Sequence, residues 1–353
     1  MKLKFLSLLI AFISLNCQQQ TISLHVGTYT SEDSKGIYHM QFNTKTGELS
    51  NLSLAANIKN PSFIAHSPNK KFMYAVGEGD ETVSSFKVKK NGTLEFINKV
   101  KSFGGAPCHI SINEQGIKAV ASNYVGGNIA LYNINEDGSL EEASQVFNHN
   151  TSTQTSHAHS AIFVKNELFV ADLGRNSMYL YKKENDNNYT LKDSSLVEFI
   201  ENAGPRHFKL TKNGEFIYII NEYAGSITAA KRNGDSFKLI NHYSTLSEGF
   251  EGINKCADIH LSTDERFLYG SNRGENTIAV FKRNTETGTL EKIENIAVNG
   301  DWPRNFTLDP TGKFLLVANK NSSNITVFKI DAVSGKLSFL HEVKIPNPAC
   351  LIF

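Results

Sequence analysis

Residues 204–223, GPRHFKLTKNGEFIYIINEY, have the pattern of a β-hairpin, and this pattern decides the fold of the whole chain. Two short runs rich in isoleucine, tyrosine and phenylalanine flank a turn at residues 212–214, which read KNG, and such runs predict a pair of strands. In an antiparallel pair, the start of the first strand and the end of the second lie at the same edge. We therefore expect Arg206, His207 and Glu222 to converge at one edge of a sheet.

The same unit recurs seven times along the chain. Aligned on the end of the second strand, the copies fall at Gly27, Gly77, Asn123, Asp172, Asn221, Asn272 and Asn319. Successive copies are 46 to 51 residues apart, which is close to the length of a four-stranded propeller blade, about 40–50 residues. Each copy continues with an alternating third strand, such as TIAVFKR at 277–283, and then with a polar turn that usually contains glycine.

The two ends of the chain complete the repeat. The first copy begins directly with its second strand, at 24–29, whereas residues 347–353 have the pattern of a first strand with nothing after it. Pairing these two segments would close a ring and remove the exposed edges of an open sheet. The segments between strands have no helical periodicity, which argues against an α/β fold. We therefore predict an all-β fold, a seven-bladed β-propeller of four-stranded antiparallel blades, as a single domain at 21–353.

The first twenty residues differ from the rest of the chain. Lys2 and Lys4 precede an apolar run, 5–15, that is too short to span a bilayer and has the pattern of a secretory signal. Cys17 follows this run at a position that resembles the lipidated cysteine of a bacterial lipoprotein signal. We predict that residues 1–20 are a signal peptide, of the lipoprotein type or an ordinary cleaved one. The protein would then be exported, either to the periplasm or to a membrane through a lipid on Cys17.

The composition argues against several classes of partner. The 36 Lys and Arg residues nearly balance the 35 Asp and Glu residues, and the basic residues are scattered. This distribution gives no electrostatic signal for nucleic acid or for an anionic membrane. Besides Cys17 the chain has three cysteines, an odd number without CxxC spacing, which indicates buried packing rather than a disulfide framework. We expect a monomer.

Some copies carry side chains that folding alone does not require. In a propeller, the first strands line the central channel, so first-strand starts and second-strand ends meet at one mouth. At these positions one copy has His157 and His159, the next has Arg206 with Glu222, and the one after has Arg273. Strand alternation predicts that one of the two histidines faces the channel and the other faces the packing between sheets. Structural salt bridges at the rim are the alternative explanation of the charged residues.

Further residues at the same strand ends are expected to contact a bound molecule. These candidate binding residues are His109, Asn123, His207, Arg304 and Asn305. Asparagine also satisfies backbone groups in turns, and most asparagines at the strand ends are expected to have that role.

The sequence contains no motif for a common cofactor. It has no HExxH, no GxSxG, no GxxxxGK[ST] and no GxGxxG after a strand. We expect neither a cofactor nor a metal. One alternative is an oxygen-rich Ca²⁺ site formed by Glu78, Asn123, Asp172 and Glu222.

Several motifs together resemble a known family. They are HVGTYT (25–30), GGAPCHISI (104–112), HAHS (157–160), GPRHF (204–208), SNRG (271–274) and PRNFTLDPTGKFLLVAN (303–319). In these motifs the chain resembles the lactonase family of seven-bladed propellers, which includes propeller-type 6-phosphogluconolactonases and fungal carboxy-cis,cis-muconate cyclases. The resemblance extends over essentially the whole mature chain. Two positions depart from the family pattern: Ser156, where a proline is usual, and Asp258, where a glutamate is common.

The resemblance implies a hydrolase that opens a sugar-derived lactone, 6-phosphogluconolactone or a related aldonolactone. Carried over by motif, the catalytic residues fall on His157 or His159, Arg206, Glu222 and Arg273. An arginine pair would bind the substrate carboxylate or phosphate, and Glu222 or a histidine would take a proton from the attacking water. Two rival hypotheses are a non-catalytic exported propeller that binds a ligand or protein at the same mouth, and a metal-dependent lactonase.

Overall fold

The computed structural model describes residues 20–31, 33–185 and 188–353, which form a ring of seven four-stranded antiparallel sheets. The predicted seven-bladed propeller is thereby confirmed. The predicted signal peptide, including Cys17, lies outside the described residues except for Gln20. No helix in the described ranges has the length and hydropathy that a membrane span requires.

The strands follow one another without intervening helices in the described ranges. In chain order they are β1 (Thr21–Thr28), β2 (Gly36–Asn43), β3 (Leu49–Asn57), β4 (Ile64–His66), β5 (Phe72–Gly77), β6 (Thr82–Val88), β7 (Leu94–Lys101), β8 (Pro107–Ile112), β9 (Lys118–Asn123), β10 (Asn128–Asn133), β11 (Gln145–Asn148), β12 (Ala158–Val164), β13 (Glu167–Asp172), β14 (Ser177–Lys183), β15 (Tyr189–Asp193), β16 (Pro205–Leu210), β17 (Phe216–Asn221), β18 (Ser226–Asn233), β19 (Ser236–Ser244), β20 (Lys255–Leu261), β21 (Phe267–Arg273), β22 (Thr277–Arg283), β23 (Leu290–Ala297), β24 (Pro303–Leu308), β25 (Phe314–Asn319), β26 (Asn324–Ile330), β27 (Leu337–Lys344) and β28 (Pro348–Ile352).

Each sheet is one blade, and the chain ends share a blade as predicted. Blade 1 has the order β28-β1-β2-β3, and blades 2 to 7 take the remaining strands four at a time in chain order. The last strand pairs antiparallel with the first, with His25 opposite Ile352 and Val26 opposite Leu351. This pairing supplies blade 1 with its inner strand and closes the ring.

Polar hairpin turns connect the third and fourth strands, and glycine is required in them. Gly288, between β22 and β23, has a φ of +77°, a conformation that other residues adopt only with strain. A Cβ at this position would lie 2.3 Å from the ring of Phe216 in the neighbouring blade. The Gly288 carbonyl also accepts a hydrogen bond of 2.9 Å from the Tyr218 hydroxyl. The backbone of this blade 6 hairpin therefore packs against blade 5.

The core lies between neighbouring blades rather than in one central cluster. At the interface of blades 5 and 6, Phe216, Tyr218 and Ile220 of β17 pack against Ile259 and Leu268 of the next sheet. All five side chains are almost completely buried, and each such burial contributes about 1.5–3 kcal/mol. Similar clusters at the other interfaces hold each blade at a set position around the channel.

The pairing register corrects the sequence alignment of the first copy by one residue. Asn123 pairs with Pro107 in blade 3, and its counterpart Thr28 pairs with Pro348 in blade 1. Thr28, not Gly27, is thus the equivalent of Asn123. A one-residue misalignment of this kind is invisible to spacing alone, because the distance between successive copies varies by several residues. The correction moves Tyr29 to the position that Glu222 occupies in blade 5.

Candidate active site

The inner strands carry a β-bulge at the mouth where first-strand starts and second-strand ends meet. In blades 1, 3, 4, 5 and 7 one residue of the inner strand is skipped in the pairing register. The skipped residues are Ala349, Cys108, His159, Arg206 and Arg304. A bulge adds one residue against the partner strand and redirects the side chains next to it. Three of these five positions thereby bring a histidine or an arginine to the mouth.

A buried ion cluster forms the centre of this mouth. Glu222 Oε2 lies 3.0 Å from Nε of Arg206 and 2.7 Å from Nη2 of Arg273. The two arginines also bind backbone carbonyls: Nη1 of Arg206 donates to Ala257, and Nη2 of Arg273 donates to Cys256 at 2.9 Å. The structure therefore brings together three of the predicted catalytic residues, from blades 5 and 6.

The charges of this cluster are set by burial and by the neighbouring groups. Burial, reinforced by the adjacent Arg273, lowers the pKa of Arg206 to about 10, so the guanidinium remains charged at neutral pH. Burial would raise the pKa of Glu222, but Arg273 and Arg206 outweigh it and lower that pKa. Oε2 of Glu222 is already engaged by both guanidinium groups, and its negative charge holds them in place. Glu222 is therefore better suited to holding the arginines than to accepting a proton.

A second cationic cluster lies at the boundary of blades 7 and 1. The Arg304 guanidinium carbon lies 5.0 Å from the centroid of the Tyr29 ring, and Lys320 Nζ lies 5.2 Å from the same centroid. The Tyr29 hydroxyl donates a 2.7 Å hydrogen bond to Glu78 Oε2, which lies 3.9 Å from Nη2 of Arg304. This weak ion pair leaves Arg304 and Lys320 available to an anionic ligand. With the central cluster, the mouth has four cationic side chains and two carboxylates.

The two histidines of the HAHS motif have different surroundings. His159 is 4% exposed, and its ring centroid lies 5.2 Å from that of His207. Burial, followed by the charge of Arg206, lowers the pKa of His159 well below its usual range, so this imidazole is neutral. His157 is half-buried at the rim, where its ring stacks on Tyr124 with centroids 4.4 Å apart. Side chains at i and i+2 of a regular strand share a face, so alternation alone does not separate this pair; the bulge at His159 does. The expectation that the second ring would lie in the packing between sheets was wrong, because His157 lies at the rim on Tyr124.

Beneath the mouth, the channel narrows into a polar layer. His207 Nδ1 lies 2.8 Å from Asp258 Oδ1, and Asn305 donates a 2.5 Å hydrogen bond to Asp258 Oδ2. His109 is part of the same layer, with its ring 4.4 Å from that of Phe63. Below these side chains a cavity of about 300 Å³ opens toward the opposite end of the channel. The predicted binding residues His109, His207 and Asn305 therefore lie one layer below the arginines.

Asn123 and Asp172 are occupied within their own blades. The Asn123 amide donates to the Ser102 carbonyl at 2.8 Å and to Asn128 at 2.6 Å. Asp172 accepts hydrogen bonds from Ser156 Oγ at 2.5 Å and from the His157 amide at 2.9 Å. The oxygen-rich Ca²⁺ site considered above is thus not assembled. Over the described ranges, no group of three or more His, Cys, Asp or Glu side chains is arranged to hold a metal ion.

Sequence reasoning missed three aromatic or cationic residues of the mouth. Tyr29 was hidden by the one-residue misalignment of the first copy, and Lys320 follows the aligned Asn319 directly, at the position of Glu222. A comparison of the residue that directly follows the aligned strand end in each copy would have identified Lys320. Trp302, whose ring centroid lies 5.2 Å from the Arg273 guanidinium carbon, precedes a first strand and has no equivalent in the repeat.

Comparison with known proteins agrees with the fold. A family model described as a seven-bladed β-propeller lactonase matches residues 23–353. The 6-phosphogluconolactonase of Bacillus subtilis is 32% identical over 93% of this chain and 97% of its own length. The 6-phosphogluconolactonase of Formosa agariphila is 35% identical over 92% of this chain and 97% of its own length. Among solved structures, the periplasmic gluconolactonase of Pseudomonas aeruginosa is 27% identical, with a TM-score of 0.85 over 94% of this chain and 98% of that chain.

Proposed function

This chain belongs to the family of seven-bladed β-propeller lactonases, and we propose that it hydrolyses a sugar-derived lactone, 6-phosphogluconolactone or a related aldonolactone, to the open-chain acid. The observation that carries the proposal is the buried cluster in which Glu222 holds Arg206 and Arg273 beside the neutral His159. Cationic donors next to an uncharged base suit acyl transfer, in which negative charge develops on an oxygen while water loses a proton. The named relatives support the same class of reaction.

Substrate binding is assigned to the cluster at blades 7 and 1. Arg304 and Lys320 have few protein partners and share the Tyr29 ring, so an anionic group of the substrate can pair with both. Guanidinium binds phosphate or carboxylate through two parallel hydrogen bonds, whereas lysine contributes a point charge. The arginines of the central cluster are already bound to Glu222 and to backbone carbonyls. The anion clamp that the sequence suggested for Arg206 and Arg273 is therefore reassigned to Arg304 and Lys320.

The reaction proceeds through a tetrahedral intermediate at the lactone carbonyl. His159 accepts a proton from water as the water oxygen bonds to the carbonyl carbon, and Arg206 stabilises the oxyanion that forms. The ring C–O bond then breaks, and protonated His159 returns its proton to the departing alkoxide. The product is a hydroxy acid, and the enzyme regains its starting state.

A pH-stat assay with a panel of sugar lactones, each with and without a 6-phosphate, tests this proposal on mature protein from Gln18 onward. We expect turnover that falls about 100-fold or more in Arg206→Lys, because lysine cannot reproduce the donor geometry of guanidinium. Arg232→Lys is the matched control, because Arg232 pairs with Glu167 at 2.9 Å outside the mouth. Wild-type turnover in Arg206→Lys, or an equal loss in the control, would contradict the scheme. A lactone preference that depends on the 6-phosphate would identify the natural substrate class.

We further propose that the protein is exported as a monomer, with residues 1–20 as its signal peptide. The support is the apolar run after Lys2 and Lys4. The periplasmic gluconolactonase of Pseudomonas aeruginosa is a relative named for the same compartment. Fractionation of cells that express the full chain, with fatty-acid labelling of wild type and Cys17→Ala, distinguishes a lipid anchor from a simple cleaved signal. Recovery of the unprocessed chain in the cytoplasm would overturn export.

A further inference from the structure

Arg206 has a partner that the proposed reaction does not use. Its Nη1 lies 3.5 Å from Nε2 of His207, the next residue in the chain. Consecutive residues of a regular strand face opposite sides, but the bulge at Arg206 brings both side chains to the channel. Through Nε and Nη1 the guanidinium therefore contacts Glu222, Ala257 and His207. Among the described residues, Nη2 of Arg206 has no hydrogen-bond partner.

Asp258 determines which nitrogen of His207 can face Arg206. The Asp258 carboxylate lies 2.8 Å from His207 Nδ1 and 3.1 Å from His260 Nε2, and it also accepts hydrogen bonds from Asn305 and from the Ile259 amide. A carboxylate with so many donors is held in its charged form. The proton between the two groups therefore resides on Nδ1 of His207. Nε2 is left with a lone pair directed at the arginine.

The surroundings of His207 keep it neutral and away from substrate. Burial, followed by the charge of Arg206, lowers the pKa of His207 to about 4, against the opposing effect of Asp258. The ring is 7% exposed, and the rings of His159, His109 and Phe63 lie within 5.8 Å of it, centroid to centroid. A ring enclosed in this way has neither the charge nor the access to bind an anion.

We infer that Asp258 and His207 are positioning residues that orient Arg206 from below. Asp258 holds His207 with its proton on Nδ1, and His207 Nε2 accepts from Nη1 of Arg206, which leaves Nη2 for the developing oxyanion. The second half of this inference rests on the proposed lactonase function. The first half, the tautomer and its contact with Arg206, does not depend on any activity.

The tautomer is tested by nitrogen NMR of protein labelled with ¹⁵N-histidine. In the wild type we expect His207 to be neutral at pH 7 with its proton on Nδ1. In Asp258→Asn, the amide NH₂ can donate to Nδ1, so the proton moves to Nε2, where it opposes the N–H groups of Arg206. Imidazolium, or a proton on Nε2 in the wild type, would overturn the inference even if the protein hydrolysed no lactone.

Kinetics test the effect on Arg206. We expect His207→Phe and Asp258→Asn to lower kcat about 30-fold, with KM changed less than 3-fold. His207→Gln, which retains an acceptor for Arg206, and Asp258→Glu, which retains the carboxylate, should each stay within about 5-fold of wild type. Failure of wild type to turn over any lactone would refute the proposed function, while the NMR result would still decide the tautomer.

The matched control is His260→Gln, which removes another imidazole from the same carboxylate. His260 contacts Asp258 Oδ2 and packs on Phe306, with ring centroids 4.8 Å apart, and within the described residues no hydrogen bond joins it to Arg206. We expect its kcat to be within 2-fold of wild type. An equal loss of kcat in His260→Gln and His207→Phe would show that the layer only supports the fold, and would overturn a specific positioning role.

Discussion

Two buried carboxylates at neighbouring corners of the ring are bound in different ways. Asp172, at the end of β13, accepts a hydrogen bond from Ser156 Oγ and others from the amides of His157 and Arg175, all within its own blade. Its neighbour in blade 5, Glu222, is bound by guanidinium groups instead. The donors to Asp172 are a hydroxyl and two backbone amides, which are uncharged and close in sequence, so these bonds fix the local turn of the backbone.

Glu222 joins two blades through charge. Arg206 lies in its own blade and Arg273 in the next, and both contact Oε2. Guanidinium groups that are held in this way are costly to desolvate, and such a cluster is weak evidence for a stabilising role. Both are nearly inaccessible to solvent, but the difference favours a structural role for Asp172 and, under the proposed function, a role in the reaction for Glu222.

The largest expected effect tests the structural role of Asp172. Asp172→Ala leaves the Ser156 hydroxyl and two backbone amides without their acceptor, and each buried unsatisfied group costs about 1–3 kcal/mol. We expect the free energy of unfolding to fall by about 3 kcal/mol or more, as measured by urea titration, while kcat of the folded fraction changes less than 5-fold. Loss of activity without loss of stability would contradict a structural role for Asp172.

The next-largest expected effect tests the role of Glu222 in the proposed reaction. Glu222→Gln preserves volume but removes the charge that holds Arg206 and Arg273, and a displacement of a catalytic group by about 1 Å can cost about 100-fold in rate. We expect kcat/KM to fall about 100-fold in the pH-stat assay. Thermal unfolding of the same variant is the control, and the comparison predicts a smaller loss of stability than for Asp172→Ala. Near-normal turnover would contradict the role of Glu222.

Acid stability sharpens the comparison, because the pKa values of both carboxyls are lowered. For Asp172, burial opposes the shift, but hydrogen bonds from His149 and Ser156 outweigh it. A group whose folded pKa is lowered stabilises the protein above its unfolded pKa, and this contribution is lost as the pH falls through the folded value. Because the usual pKa of aspartate is about 3.9, we expect the wild type to lose more stability than Asp172→Asn as the pH falls below that value. Parallel urea titrations of the two proteins measure the difference, and identical pH profiles would contradict it.

The smallest expected effect concerns a third corner carboxylate. Glu78 occupies in blade 2 the position of Glu222, but it lies 3.9 Å from Arg304 and competes with a bound anion for that cation. Removing this charge in Glu78→Gln should lower KM for a phosphorylated lactone about 3-fold, with kcat nearly unchanged, because a like charge is removed from the binding site. The unphosphorylated lactone is the control and should show little change. A raised KM would show that Glu78 orients Arg304 instead.

The sequence predicted where the candidate catalytic residues lie in the fold more reliably than it predicted which groups the strand-end side chains contact. The hairpin geometry placed Arg206 and Glu222 at one edge, and the structure joins them at 3.0 Å. The same reasoning placed Asn123 among the binding residues, but its amide is used within the turn. Asn123 and Glu222 occupy adjacent repeat positions at the same end of the second strand. A repeat pattern gives the place of a residue in a blade, but the local donors and acceptors determine whether its side chain is free.

The sequence by itself determined the seven blades, their strand order and the closure of the ring. These features follow from short-range alternation, turn chemistry and a period of 46 to 51 residues, all of which are properties of neighbours along the chain. Only the tertiary structure decided which side chains meet at the mouth. The bulges at His159, Arg206, Arg304 and Ala349 each change the register by one residue. Because a one-residue shift turns a side chain to the other face of a strand, contacts between blades could not be predicted from spacing alone.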